Sequence, residues 1–232
     1  MSGQTIQIDG PDGTFSGYLA LPEGGKGPGV VVLQEIFGVN EVMRDIADNL
    51  AAQGYVALCP DLFWRIEPGI DITDKTEAEM ARAFELFGLF DMETGIKDVA
   101  ATINHLRTLD ACTGKVGAVG YCLGGMMAYL TATRTDIDAS VGFYGVNIQT
   151  LLDEASNIKK PLALHIAGND EFVPAEAQDQ IVSGLADNKL VELFQYPGRD
   201  HAFARTGGAH FHQADADNAN TRTLNFFKKN LG

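Results

Sequence analysis

Residues Gly120-Tyr121-Cys122-Leu123-Gly124 lie between an apolar run, Lys115-Val116-Gly117-Ala118-Val119, and a helix-like run, Gly125-Met126-Met127-Ala128-Tyr129-Leu130. Small residues two places either side of a nucleophile, at a strand-to-helix junction, mark a sharp and strained turn with the nucleophile at its tip. Glycine at those places removes side chains that would collide with the neighbouring strand and helix. Here the tip is cysteine, where serine is usual. The helix that follows directs its unbonded N–H groups and positive dipole end at the sulfur, which favours thiolate and any oxyanion formed beside it.

The rest of the chain alternates in the way such a turn requires. Thr5–Ile8 and Phe15–Leu21 read as short strands around an Asp12-Gly13 turn, and Gly29–Gln34 as a strand buried on both faces. Tyr55–Cys59, Val116–Val119, Ser140–Tyr144, Leu162–Ile166 and Leu190–Tyr196 are the further strands. Helices are expected over Glu41–Gln53, Glu77–Phe90, Met92–Leu109, Ala175–Leu185 and Asp215–Lys229, with Gly54 closing the first. Phe63–Lys75 has no clean period and reads as a loop over the domain. This predicts an α/β class: a doubly wound, mostly parallel sheet with helices on both faces. The chain has 232 residues, enough for a single domain over residues 1–232.

Composition narrows the partners. With 31 acidic and 17 basic residues, the formal charge is −14. Nucleic acid and acidic membranes are poor partners for such a surface, because both call for a basic face. An anionic small molecule is still compatible, since salt screens distant charges and one arginine can dominate a pocket. Cys59, Cys112 and Cys122 are an odd number without disulfide or CxxC spacing. The first residues carry no secretory signal pattern, and no stretch approaches membrane-spanning length. A reducing cytoplasm suits the free thiol. The expected assembly is a monomer or a weak dimer. No cofactor is expected, and no metal: His210 and His212 alternate on one side of a short segment without a convincing third ligand.

After a nucleophile elbow the expected order is nucleophile, acid, histidine. Asp170, in Gly168-Asn169-Asp170-Glu171-Phe172-Val173-Pro174, follows the strand Leu162–Ile166. His201, in Arg199-Asp200-His201-Ala202-Phe203, follows the strand Leu190–Tyr196. The intervals are 48 residues (122 to 170) and 31 residues (170 to 201), room for the intervening strand–helix units. Asp170 would orient His201, and His201 would hold the thiol proton and later activate water. The bland alternatives are an Asx-turn for Asp170, a loop role for His201, and Asp200 as a rival acid, though adjacent residues rarely reach triad geometry. Cys59 and Cys112 read as apolar filler. Trp64, Phe84, Phe87 and Phe90 could wall a pocket, but they read first as ordinary core.

The chain resembles the dienelactone hydrolase family of α/β-hydrolases. The resemblance rests on Gln34-Glu35-Ile36-Phe37-Gly38-Val39-Asn40, Cys59-Pro60-Asp61-Leu62, the Cys122 elbow, Phe143-Tyr144-Gly145, Asp170 with Phe172-Val173-Pro174, and His201-Ala202-Phe203-Ala204-Arg205. It implies the α/β-hydrolase fold and a Cys122–His201–Asp170 triad. It also implies that Glu35 meets the resting thiol and takes its proton when substrate binds. A solvated loop carboxylate is the alternative for Glu35. The backbone N–H groups of Ile36 and Leu123 would form the oxyanion hole. Arg205 matches an arginine that holds the substrate carboxylate. Met80 occupies the position of a second clamp arginine, with Arg82 two residues on, and Phe84 stands for a tyrosine. Tyr144 is a further substrate-binding candidate, with packing as its alternative. The implied activity is hydrolysis of a small carboxylated lactone, such as a dienelactone from chloroaromatic breakdown, through a thioester. A general short-chain carboxylesterase or thioesterase, a non-catalytic ligand-binding protein and a thiol redox sensor remain as alternatives.

Overall fold

The structure, a computed structural model, describes residues 3–232. The chain is α/β, with an eight-stranded sheet and interleaved helices. By contact density it divides into two compact units, one ending at Ala118 and the other beginning at Val119.

In the first unit, β1 (Gln4–Gly10) and β2 (Gly13–Ala20) form an antiparallel hairpin around the Asp12-Gly13 turn. β2 pairs antiparallel with β4 (Val56–Pro60), and β4 pairs parallel with β3 (Gly27–Leu33). Val30 to Leu33 are wholly buried, as a strand covered on both faces requires. α1 (Glu41–Ala52) starts where the Asn40 side chain accepts from the Met43 amide, and Gly54, at φ 97°, turns the chain after it. α2 (Glu77–Leu89) opens at Thr76, whose Oγ1 accepts from the Glu79 amide and donates to the Glu79 carboxylate. α3 (Met92–Thr108) is capped by Asp91.

Residues 63–75 form no regular element, but they are tied down. Asp61 accepts from the amides of Phe63 and Gly69, Gln34 accepts from Leu62 N–H, and Asn40 donates to Ile72 O. Trp64 stacks on Phe15 and donates its indole N–H to the buried Asp98. Trp64 is half-buried, so it packs at the margin of the core rather than within it.

β5 (Cys112–Tyr121) carries the chain from one unit to the other. It starts four residues earlier than the expected Val116, because Thr113 to Lys115 are exposed and break the apolar signal. In the second unit α4 (Leu123–Arg134) follows at once. β6 (Ala139–Phe143), β7 (Leu162–Ala167) and β8 (Val191–Tyr196) lie side by side and parallel. α5 (Ala175–Leu185) and α6 (Gln213–Leu231) complete this unit. A 3₁₀ helix over Ile148–Asn157 has no counterpart in the sequence reading; it begins after Asn147, which holds a left-handed φ of 59°. Among the described residues, no helix is long and apolar enough to cross a membrane.

Candidate active site

Cys122 sits between the end of β5 and the first turn of α4, with φ 56° and ψ −113°. A non-glycine residue held there stores about 1–3 kcal/mol of strain, so its surroundings must over-determine it. They do. The Cys122 amide donates to Phe143 O at 3.1 Å, and its carbonyl accepts from the amides of Gly125 and Met126 at 3.0 and 3.2 Å. A Cβ on Gly125 would come within 2.5 Å of Phe143 O and 2.7 Å of Gly145 Cα, so only glycine lets α4 come this close to the end of β6. Leu123 opens α4, and the first amides of a helix find no acceptor within it.

Asp170 and His201 follow the parallel neighbours β7 and β8, and both are buried. His201 Nδ1 lies 2.7 Å from Asp170 Oδ2. A carboxylate only accepts, so Nδ1 carries the proton and Nε2 faces away from the acid. Asp170 Oδ1 accepts from the Phe172 amide at 2.9 Å. The Asx-turn and the histidine contact, posed as alternatives, therefore coexist on the two oxygens of one carboxylate. Asp200 has other partners: one oxygen accepts from Asn169 and the other faces His210 Nδ1 at 3.3 Å.

Burial alone would lower the proton affinity of His201. The negative charge that Cys122 can carry and the Asp170 hydrogen bond outweigh it and raise the imidazole pKa to about 10. Nε2 itself is buried and makes no hydrogen bond of good geometry. The Cys122 sulfur is nonetheless near enough to act on the ring both by its charge and as a hydrogen-bond partner. Tyr144 and Phe172 present ring edges to His201, with centroids 5.0 and 4.9 Å away. Tyr144 is almost wholly buried and strained at φ 38°, so packing against His201 is its visible role. Phe172 is 44% exposed, an aromatic edge left beside a titrating ring. Phe172 has no assigned part in the sequence motif; its place two residues after Asp170, inside an Asx-turn, is the signal that points to it. A cleft of about 450 Å³, lined by residues including Asn169, Asp170, Gln178 and His201, opens on this side.

The remaining candidates have clear local settings. Glu35 is 1% exposed, which overturns the solvated-carboxylate alternative. Ile36 is buried beside it in sequence. Arg205 is half-buried in the turn after Phe203, with its amide donating to Ala202 O. Arg82 is committed elsewhere: its guanidinium pairs with Glu67 and with Glu85 at 2.5 and 2.6 Å. Phe84 stands 46% exposed on α2, so it is not the core residue its apolar character suggests: it lies on the outer face of the helix, away from buried Ala83 and Leu86. Cys59 is fully buried, and burial pushes its thiol pKa well up, as suits apolar filler. His212 caps α6 by accepting from the Asp215 amide. Among the described residues, no group of three or more His, Cys, Asp or Glu is arranged to hold a metal ion.

Comparison with known proteins agrees over nearly the whole chain. The model of the dienelactone hydrolase family matches residues 15–231. A protein of Azospirillum brasilense with a provisional carboxymethylenebutenolidase name is 49% identical over 227 residues, 96% of each chain. The carboxymethylenebutenolidase of Pseudomonas putida is 39% identical over 97% of this chain and 96% of its own. A solved structure from Klebsiella pneumoniae, provisionally a dienelactone hydrolase, superposes with a TM-score of 0.84 at 25% identity, covering 97% of this chain and 98% of that one. The chain therefore belongs to the dienelactone hydrolase family: it has the α/β-hydrolase fold and is a hydrolase.

Proposed function

We propose that this hydrolase opens a small carboxylated lactone of the dienelactone type by acyl transfer to Cys122, with His201 and Asp170 completing the triad. One observation carries the reading: His201, anchored to Asp170 at 2.7 Å, is a buried imidazole whose proton affinity is raised by a cysteine strained at the tip of the elbow.

In this reading the sulfur attacks the lactone carbonyl, and the ring C–O bond breaks to leave a thioester. The leaving oxygen stays tethered, so rapid protonation prevents reclosure. His201 supplies that proton. Its raised pKa depends on the charge of the neighbouring sulfur. Acylation removes that charge, so the imidazole gives up its proton more readily once the thioester has formed. The same ring, now neutral, takes a proton from water, which attacks the thioester and releases the open-chain acid and the Cys122 thiolate; Glu35 then returns to the sulfur the proton it took from the resting thiol. The amides of Leu123 and Ile36 receive the oxyanion; losing one such donor typically costs about 3–4 kcal/mol of barrier. Glu35 takes the resting thiol proton when substrate arrives, and Arg205 holds the substrate carboxylate with its planar fork. The family resemblance supports these last roles, and the burial of Glu35 agrees with a functional carboxylate.

A general short-chain esterase is the competing reading. It draws on Met80 at the second clamp position and on Arg82, whose fork is held by Glu67 and Glu85. Hydrolysis of a dienelactone and of a p-nitrophenyl ester, measured for wild type, Cys122→Ser, Glu35→Gln and His201→Ala, tests both. The proposal expects the lactone as the better substrate and a loss of about a thousandfold or more in His201→Ala. Equal turnover by His201→Ala and wild type would remove the triad, and preference for the neutral ester would favour the esterase.

A further inference from the structure

The loops that carry Asp170 and His201 are tied together by a second contact, one residue upstream of the first. Asn169 Nδ2 donates to Asp200 Oδ1, and His201 Nδ1 meets Asp170 Oδ2; each pair spans 31 residues, so they are adjacent rungs between the same two loops. The Asn169 amide also donates to Arg199 O at 2.8 Å, and the Gly168 amide to Tyr196 O at 2.9 Å. The second oxygen of Asp200 faces His210, so both of its acceptor atoms are occupied. Directly after His201, Ala202 holds a left-handed φ of 61°, a conformation that persists only where neighbouring contacts over-determine it. The backbone bonds set the spacing of the loops up to residue 199. Beyond that point two side-chain rungs, Asn169–Asp200 and then Asp170–His201, lead into the strained turn, and the backbone bond from the His212 amide to Phe203 O follows it.

We propose that Asn169 and Asp200 are positioning residues: their hydrogen bond holds the loop of His201 in the register at which Nδ1 meets Asp170. Asp200 does not act as the catalytic acid and does not serve chiefly by charge. Its effect passes through the geometry of the neighbouring pair, because the raised proton affinity of His201 comes from Cys122 and Asp170. The inference rests on the triad reading and adds to it the element that fixes its acid–base pair.

Asp200→Ala removes the rung. Asp200→Asn keeps a carbonyl oxygen for Asn169 and removes only the charge. We expect Asp200→Ala to lower kcat about tenfold with KM nearly unchanged, within the roughly hundredfold that a misplacement of about 1 Å can cost. Its low-field Nδ1 proton resonance, assigned by loss in His201→Ala, should broaden or vanish, whereas Asp200→Asn should keep both the resonance and most of the rate. If thermal melting shows Asp200→Ala misfolded, Asn169→Ala breaks the same rung from the other side, keeps the backbone bond to Arg199, and should give the same result. Wild-type kcat with a sharp resonance in the rung-breaking variant, or an Asp200→Asn enzyme as impaired as Asp200→Ala, would overturn the proposal. Undiminished activity in His201→Ala would instead bring down the triad itself, and the positioning role with it.

Discussion

His165 and His201 are both buried in the second unit, yet their surroundings drive them in opposite directions. His201 has the Asp170 carboxylate on one nitrogen and the Cys122 sulfur acting on the ring, and its pKa rises to about 10. His165 has only neutral partners: Nε2 meets Thr223 Oγ1 at 3.1 Å, and Nδ1 meets Tyr196 O–H at 2.8 Å. Thr223 gives its one hydroxyl proton to Ala219 O, so it accepts from Nε2–H, and the bare Nδ1 accepts from tyrosine. No place remains for a second proton. Burial, helped by nearby Arg222, lowers the pKa of His165 to about 3. A group whose folded pKa lies below its unfolded one binds its proton in the unfolded chain first. Its stabilising effect is therefore complete above about pH 6.5 and is lost as pH falls toward 3. Denaturant titrations should show stability dropping by about 1.4 kcal/mol per pH unit over that window from this residue, and His165→Gln should flatten the dependence. An unchanged slope in the variant would assign the acid sensitivity to other groups. The positively charged fork of Arg205 sets the second expectation at this scale. Arg205→Ala should reduce kcat/KM for a carboxylated lactone by about 10–100-fold, as loss of a charge-assisted hydrogen bond costs about 1.5–3 kcal/mol. Neutral esters should be nearly unaffected, and a uniform loss on both substrates would mean a structural role.

At the scale of elements, the elbow is the most legible part of the chain, because its physics is local. Strand, tip and helix follow one another, and Gly125 is needed where α4 meets the end of β6. The blocking atoms are backbone, which cannot move aside. Gly125→Ala should therefore destabilise the protein by about 1–3 kcal/mol, read as a lower midpoint in thermal or denaturant unfolding. A midpoint equal to wild type would mean that the helix start is looser than the spacing implies. Other elements were legible by period and caps: α1, α2 and α3 begin at or next to residues whose side chains accept their first amides. The 3₁₀ helix at Ile148–Asn157 was not legible, since its turns follow a single left-handed asparagine rather than an apolar repeat. The early start of β5 was hidden by exposed polar residues for the same reason: period reports burial, not hydrogen bonding.

For the molecule as a whole, order along the chain was enough to nominate Cys122, Asp170 and His201, but not to divide labour among the oxygens of Asp170 or to seat Phe172 against the imidazole. Those details depend on side-chain direction across β7 and β8, which no linear spacing encodes. The formal charge of −14 adds a molecular-scale consequence. A carboxylated lactone approaches against net repulsion, which salt screens over about 10 Å at moderate ionic strength. KM for that substrate should fall as salt is raised from low levels, while KM for a neutral ester stays level. Parallel salt dependences would show that long-range charge does not govern encounter. The central claim is that acyl transfer passes through the sulfur of Cys122. The most direct measurement is intact-protein mass spectrometry of enzyme quenched in acid during turnover of a slow ester, followed by peptide mapping. The account predicts one acyl group on the Cys122 peptide, labile to hydroxylamine and absent in Cys122→Ala, which should not turn over. Undiminished hydrolysis by Cys122→Ala, with no adduct on that peptide in wild type, would contradict it.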